Sequence, residues 1–158
     1  MRPDLPPLPE DIVATLNANR GGFNALIDLE ITAASYASVS ARMAVGPKHA
    51  QPYGLIHGGV HAAILETLCS TGAALHVLHL GHGVVGLENH TSFLRAARGG
   101  VVTATVTPLT TGRRSHVWRG DVLDEDGRVL ATGQVRLMVL ATGASVAGEA
   151  IPSGLERP

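Results

Sequence analysis

The chain has 158 residues, 45% of them apolar and 16% charged, with a formal net charge of −1. That length is one ordinary domain with enough apolar mass for a proper core, and the composition excludes a disordered or low-complexity chain. No run of Lys or Arg is long enough to follow a phosphate backbone, so nucleic acid is not expected as a partner and any anion site must be local.

Residues 1–8 read as a loose arm, and the first twelve residues are proline-rich and acidic rather than basic and apolar, so no secretory signal is expected there. Pro9 to Asn17 reads as a short helix with Glu10 and Asp11 in its first turn, ended by Gly21 and Gly22. Phe23 to Thr32 and Tyr36 to Val45 alternate apolar and polar residues and predict a strand hairpin. Gly46 and Pro47 then open a loop. From Gly59 to Leu80 the pattern is helical and apolar nearly all round, with Ile64, Leu68, Thr71, Leu75 and Leu78 recurring at steps of three and four, so a buried helix is expected. After a turn at Gly81 to Gly83, strands are predicted over Val84–Arg95, Val101–Thr111, Ser115–Leu123 and Arg128–Leu140, the last two joined by a turn at Asp124 to Gly127. Residues 141–158, rich in Ala, Gly, Ser and Pro, read as a flexible tail, leaving 23–140 as the domain and 1–22 as an arm with a short helix. The most apolar run is too short to span a membrane, and a cytoplasmic location is expected. The lone Cys69 on the buried helix reads as a small apolar group.

One apolar helix followed by consecutive antiparallel strands suggests an α+β fold in which a curled sheet of five or six strands wraps that helix. The helix carries a single acid, Glu66, with the Ser70 hydroxyl one turn further on the same face. A buried carboxylate among aliphatics requires a reason. At the start of the helix, glycines allow close approach to a ligand, and unpaired backbone N–H groups carry the positive end of the helix dipole. Gly58 is therefore the candidate donor to a developing oxyanion.

The run Gly54-Leu55-Ile56-His57-Gly58-Gly59-Val60, the acid eight residues after Gly58, and the downstream Glu88-Asn89-His90-Thr91-Ser92-Phe93-Leu94-Arg95 resemble the hotdog-fold acyl-CoA thioesterases. They look most like the glutamate-using 4-hydroxybenzoyl-CoA thioesterase branch, related to the phenylacetate-pathway (PaaI-like) enzymes. The resemblance covers roughly Phe23 to Leu140. It implies a hydrolase that cleaves an aryl or medium-chain acyl-CoA to free acid and coenzyme A, without metal or other cofactor. It also implies Glu66 as nucleophile or general base, with Gln51 and Ser70 orienting the water or the carboxylate. The branch commonly has threonine where this chain has Ser70. His57 reads as the donor of a structural hydrogen bond. Arg95 matches a nucleotide-contacting arginine of the branch. Arg113 and Arg114, like Arg98, are candidates for the coenzyme A phosphates by charge and place.

Gly58 and Glu66 are eight residues apart, about 12 Å along a helix axis, too far to serve one carbonyl carbon. A two-fold dimer with antiparallel helices would bring them together across the interface, so a homodimer, or a homotetramer built as a dimer of dimers, is expected. The spacings of His57 with His61, and of His76, His79 and His82, raise a metal site, but neither HExxH nor CxxC is present, and none is expected. A noncatalytic acyl-CoA-binding protein and a hotdog dehydratase or hydratase are the alternatives.

Overall fold

The computed structural model describes residues 5–150. Two short helices, α1 (Ile12–Ala18) and α2 (Gly21–Leu26), precede strands β1 (Glu30–Ala34) and β2 (Val39–Ala44). The long helix α3 (Gly58–Leu75) follows, then β3 (Gly83–Phe93), β4 (Val101–Thr111), β5 (Ser115–Leu123) and β6 (Val129–Leu140). The six strands form one antiparallel sheet in the order β1-β2-β4-β5-β6-β3. In the segment after residue 140, β7 (Ser145–Val146) and β8 (Glu149–Ala150) pair as a separate ribbon.

The sheet curls around α3 because its concave face is the apolar one. Val102, Ala104 and Val106 on β4 are buried, as are Trp118 and Val122 on β5 and Val135 and Leu137 on β6, while the residues between them face outward. Against them α3 lays Ile64, Leu65, Leu68, Cys69, Ala73 and Leu75. Gly72 lets the helix seat directly on Trp118, whose indole atoms would lie 2.5 Å from a Cβ added there.

Two expected elements differ. The strand predicted from Phe23 is helical as far as Leu26: Gly21, at φ +72°, restarts a helix, and Phe23 and Leu26 stay 59% and 65% exposed instead of entering the sheet. The long helix ends at Leu75 rather than Leu80, because the chain tightens into a 3-10 turn at Leu78–Leu80 and Gly81 takes a left-handed conformation. His76, the capping residue, meets the Tyr36 carbonyl through Nε2 at 2.8 Å and so ties this end of the helix to the β1–β2 hairpin.

The two edges of the sheet are unlike. At the β1 edge Asn17 acts as a surrogate strand: its Nδ2 donates to the Ile31 carbonyl at 2.8 Å and its Oδ1 accepts from the Ile31 N–H at 2.9 Å. At the other edge β3 runs for 11 residues with no strand beyond it among the described residues, and Leu87 and Phe93 are 48% and 58% exposed. No helix among the described residues is long and apolar enough to cross a membrane.

Candidate active site

α3 is buried only on the face the sheet covers. Ala62, Ala63, Glu66 and Ser70 on its other face are half-buried, so the acid expected to be enclosed is partly open. The Glu66 carboxylate is nonetheless fixed. Ser70 Oγ donates to Oε1 at 3.3 Å and Asn89 Nδ2 donates to Oε2 at 2.9 Å. Asn89 Nδ2 also reaches the Ala62 carbonyl at 3.1 Å, and Thr91 Oγ1 donates to Asn89 Oδ1 at 2.7 Å, which sets the orientation of the amide. Gly86 completes the cradle: a Cβ there would fall 2.6 Å from Glu66 Oε1. Asn89 and Thr91 belong to the motif in the sequence, whereas Gly86 lies outside it and carries no signal that would single it out, since its role arises from the packing of β3 on α3. Glu66, Ser70 and Thr67 line a hollow closed on its far side by Leu16, Arg20 and Asn24. Burial, and after it the Glu66 carboxylate, push the Cys69 thiol up to about 12, so it is an inert core group.

The N-terminus of α3 opens into a different hollow, lined by Gln51, Gly58, His61, Phe93, Leu94 and Arg95. His57 is the N-cap, and its Nδ1 accepts from the Gly59 N–H at 2.9 Å. The ring accepts because a helix start presents unpaired donors, while the His57 backbone N–H donates to the His49 carbonyl of the preceding loop at 2.8 Å. The Gly58 N–H has no acceptor among the described residues and remains available to a ligand oxygen. Glycine at position 58 leaves room for the Phe93 ring, which a Cβ would approach to 2.9 Å and push aside. Gln51 Oε1 accepts from the Tyr53 N–H at 2.7 Å, which turns the amide Nε2 toward other acceptors. The loop holding Gln51 is clamped by Arg98, whose Nη1 donates to the Tyr53 carbonyl at 2.7 Å, so this arginine is a structural tie. His61 is buried, its Nδ1 enclosed without a hydrogen-bond partner, and burial lowers its pKa from 6.5.

The candidate residues thus fall into two groups that one chain does not unite. Gln51, Gly58, His57 and Arg95 gather at the start of α3; Glu66 and Ser70 gather two turns further on. Arg113 and Arg114 lie in the exposed turn between β4 and β5. There Ser115 pairs with Met138 and Met138 with Val85, while Arg95 follows Phe93 at the opposite end of β3. From Val85 to Phe93 is about 27 Å of strand, so the three arginines expected to share a ligand are not neighbours within one chain. The histidines do not converge either. His61 packs 6.4 Å from the Phe93 ring and His76 5.2 Å from Tyr36, and no three His, Cys, Asp or Glu side chains gather as a metal site among the described residues.

Chemically, a hydrogen-bonded carboxylate is able to attack an acyl carbon or activate water, and an unpaired helix N–H is able to stabilise an oxyanion. Residues 53–131 match the Thioesterase superfamily. The Mycobacterium tuberculosis protein Rv1847 is 38% identical over 120 residues, 75% of this chain and 86% of that one. Its solved structure matches with a TM-score of 0.74, covering 78% of this chain and 98% of that one at 36% identity. The Escherichia coli 1,4-dihydroxy-2-naphthoyl-CoA hydrolase is 31% identical over 126 residues, 79% of this chain and 92% of that one. Two solved structures of the Staphylococcus aureus thioesterase SAV0944, at 26% and 25% identity, each have a TM-score of 0.72 and cover 75% of this chain and 98% of that one. One carries alanine in place of a glutamine and the other alanine in place of a glutamate fifteen residues later, the separation between Gln51 and Glu66 here. The likeness runs through the whole helix-wrapped domain, and the chain belongs to the thioesterase superfamily as a hotdog-fold thioester hydrolase.

Proposed function

We propose that the protein is an acyl-CoA thioesterase of the glutamate-using branch, working as a two-fold dimer with two composite sites. The observation that carries this reading is the division of the machinery: a carboxylate held by Asn89 and Ser70 in one hollow, an unpaired Gly58 N–H in another, on one rigid helix. Gly58 lies against Phe93, and Glu66 against Gly86 and Asn89, on the uncovered strand β3. Two such strands paired antiparallel about a centre near His90 bring each Gly58 opposite the partner's Glu66. The open β3 edge is satisfied by the same pairing. It also carries the partner's Arg113 and Arg114 toward Arg95, assembling from two chains the cationic patch that coenzyme A phosphates require. A dimer of dimers can be built on this pair without altering the sites.

In the composite site the thioester carbonyl oxygen accepts from the Gly58 N–H, with Gln51 Nε2 beside it. The partner's Glu66 either attacks the carbonyl carbon, giving a mixed anhydride and releasing the coenzyme A thiol before water cleaves the anhydride, or takes a proton from a water that attacks directly. Both routes yield free acid and coenzyme A. The names of the E. coli hydrolase and the S. aureus thioesterase, and the shared glutamine-to-glutamate separation, support the reading. Release of free thiol from a panel of acyl-CoAs, aryl and medium-chain, tests it; no release from any would end it. The composite site is tested by mixing Gln51→Ala with Glu66→Ala. Random exchange makes half the dimers mixed, each with one intact site of two, so about a quarter of wild-type activity should return. No recovery, with hybrids seen by native mass spectrometry and each parent impaired, would place the whole site within one chain.

A further inference from the structure

Strand β3 is not regular. Its pairing with β6 slips by one residue between Gly86 and Glu88, which leaves Leu87 as an extra residue, a β-bulge on the uncovered edge of the sheet. The bulge changes which side chains face the helix. In an even strand Gly86 and Asn89, three positions apart, would point to opposite sides of the sheet, yet here both meet Glu66. Glu88 is turned outward to Arg136, 3.3 Å away, and Asn89 and Thr91 share the inner side, across from the buried Val135 and from Gly133. Gly133 leaves room for the Thr91 hydroxyl, since a Cβ there would lie 2.9 Å from Oγ1. Asn89 is thereby set between two acceptors and one donor. Its Nδ2 carries two hydrogens and meets two acceptors, the Ala62 carbonyl at 3.1 Å and Glu66 Oε2 at 2.9 Å, while its Oδ1 takes the Thr91 hydroxyl at 2.7 Å. Turned over, the amide would aim its oxygen at a carbonyl and a carboxylate, neither of which can donate. Thr91 adds a donor that only the observed orientation satisfies. A chain of two hydrogen bonds thus runs from Thr91 to Glu66, and Thr91 itself does not bond to the acid.

We propose that Thr91 is a positioning residue for thioester hydrolysis and acts through Asn89: the hydroxyl fixes the amide, and the amide fixes the Glu66 carboxylate at the angle from which it attacks or takes a proton. The assignment rests on the reading of Glu66 as the reacting acid. Without the Thr91 hydroxyl the amide is free to turn over, and the carboxylate, then facing an oxygen, swings away. A misplacement of about 1 Å at a reacting group is enough to cost on the order of 10²-fold in rate. Coenzyme A is held by groups at the other end of α3, so the loss falls on turnover and spares binding.

The test is a double-mutant cycle, read as kcat and KM on the fastest member of the aryl and medium-chain acyl-CoA panel, benzoyl-CoA and hexanoyl-CoA among them, with circular dichroism on every variant. Thr91→Val should lower kcat about tenfold and leave KM within about twofold, and Thr91→Ser, which keeps the hydroxyl, should retain most of the turnover. Asn89→Ala should lower kcat by about 10²-fold, and adding Thr91→Val to it should cost nothing more, because the group through which Thr91 acts is gone. A threonine that only supports the strand would lower kcat by the same factor in both backgrounds. That result, a folded Thr91→Val with wild-type kcat, or a loss confined to KM would overturn the assignment and leave the thioesterase reading intact. Should Thr91→Val fail to fold, Thr91→Ala removes the same hydroxyl and completes the same cycle. Glu66→Gln turning over as fast as the wild type would instead remove the acid from the reaction, and this assignment with it.

Discussion

The two hollows on α3 are complementary in what they lack. The one at its N-terminus offers an unpaired N–H, a glutamine amide and Arg95, but no carboxylate. The one at Glu66 offers a carboxylate held from two sides and a shaped wall, but no backbone donor. A straight helix cannot bend to close about 12 Å between them, which is why the proposed function joins the two hollows across two chains. The two regions should consequently fail in different ways when altered.

The largest effect is expected at the acid. Glu66→Gln preserves shape and leaves a neutral amide, and turnover should fall by about 10³-fold or more with the fold intact, measured as thiol release beside circular dichroism. Next comes its cradle. Gly86→Ala places a methyl group 2.6 Å from Glu66 Oε1 and should cost about 10²-fold in kcat by displacing the carboxylate, while binding of coenzyme A changes little. In the other hollow the failure should be one of binding. Arg95→Gln is expected to raise KM for a full acyl-CoA by about tenfold yet spare the matching pantetheine thioester, and equal losses on both would make Arg95 structural. The smallest effect concerns pH. Burial depresses the His61 pKa below 6.5, so the unfolded chain takes up a proton there before the folded one does. Its contribution to stability is therefore complete above pH 6.5 and is lost as pH falls from there toward the lowered value. The urea midpoint should drop between pH 7.5 and pH 5.5, and drop less in His61→Leu.

What the sequence disclosed follows from the range of the forces involved. β4 and β5 begin and end where their alternation predicts, because Val102, Ala104 and Val106 obey the strand period and glycines bound the pair. α2 was hidden because Phe23, Leu26 and Ile27 look like strand residues; only the left-handed Gly21 and the exposure of two of the three reveal a helical turn. The end of α3 depended on His76 finding the Tyr36 carbonyl, forty residues back in the chain. Of the candidate residues, Glu66 and Ser70 share a helix face by spacing and Gly58 stands at the helix start, whereas Gln51 is singled out only by the family resemblance. Gly86 acts only through a contact that the fold creates, and Glu66 is less enclosed than a helix apolar on every side suggests, because its own chain covers only one face of α3.

Trp118, the chain's single tryptophan, rests fully buried against Gly72 in the last turn of α3, with the His76 ring 5.7 Å away. That places the protein's dominant chromophore at the seam where helix meets sheet. Its emission should lie well to the blue while the seam is closed and shift to the red when the helix lifts away. Every variant described above can thus be checked for an intact core by its own fluorescence, in the cuvette used for the rate measurement and with no label attached.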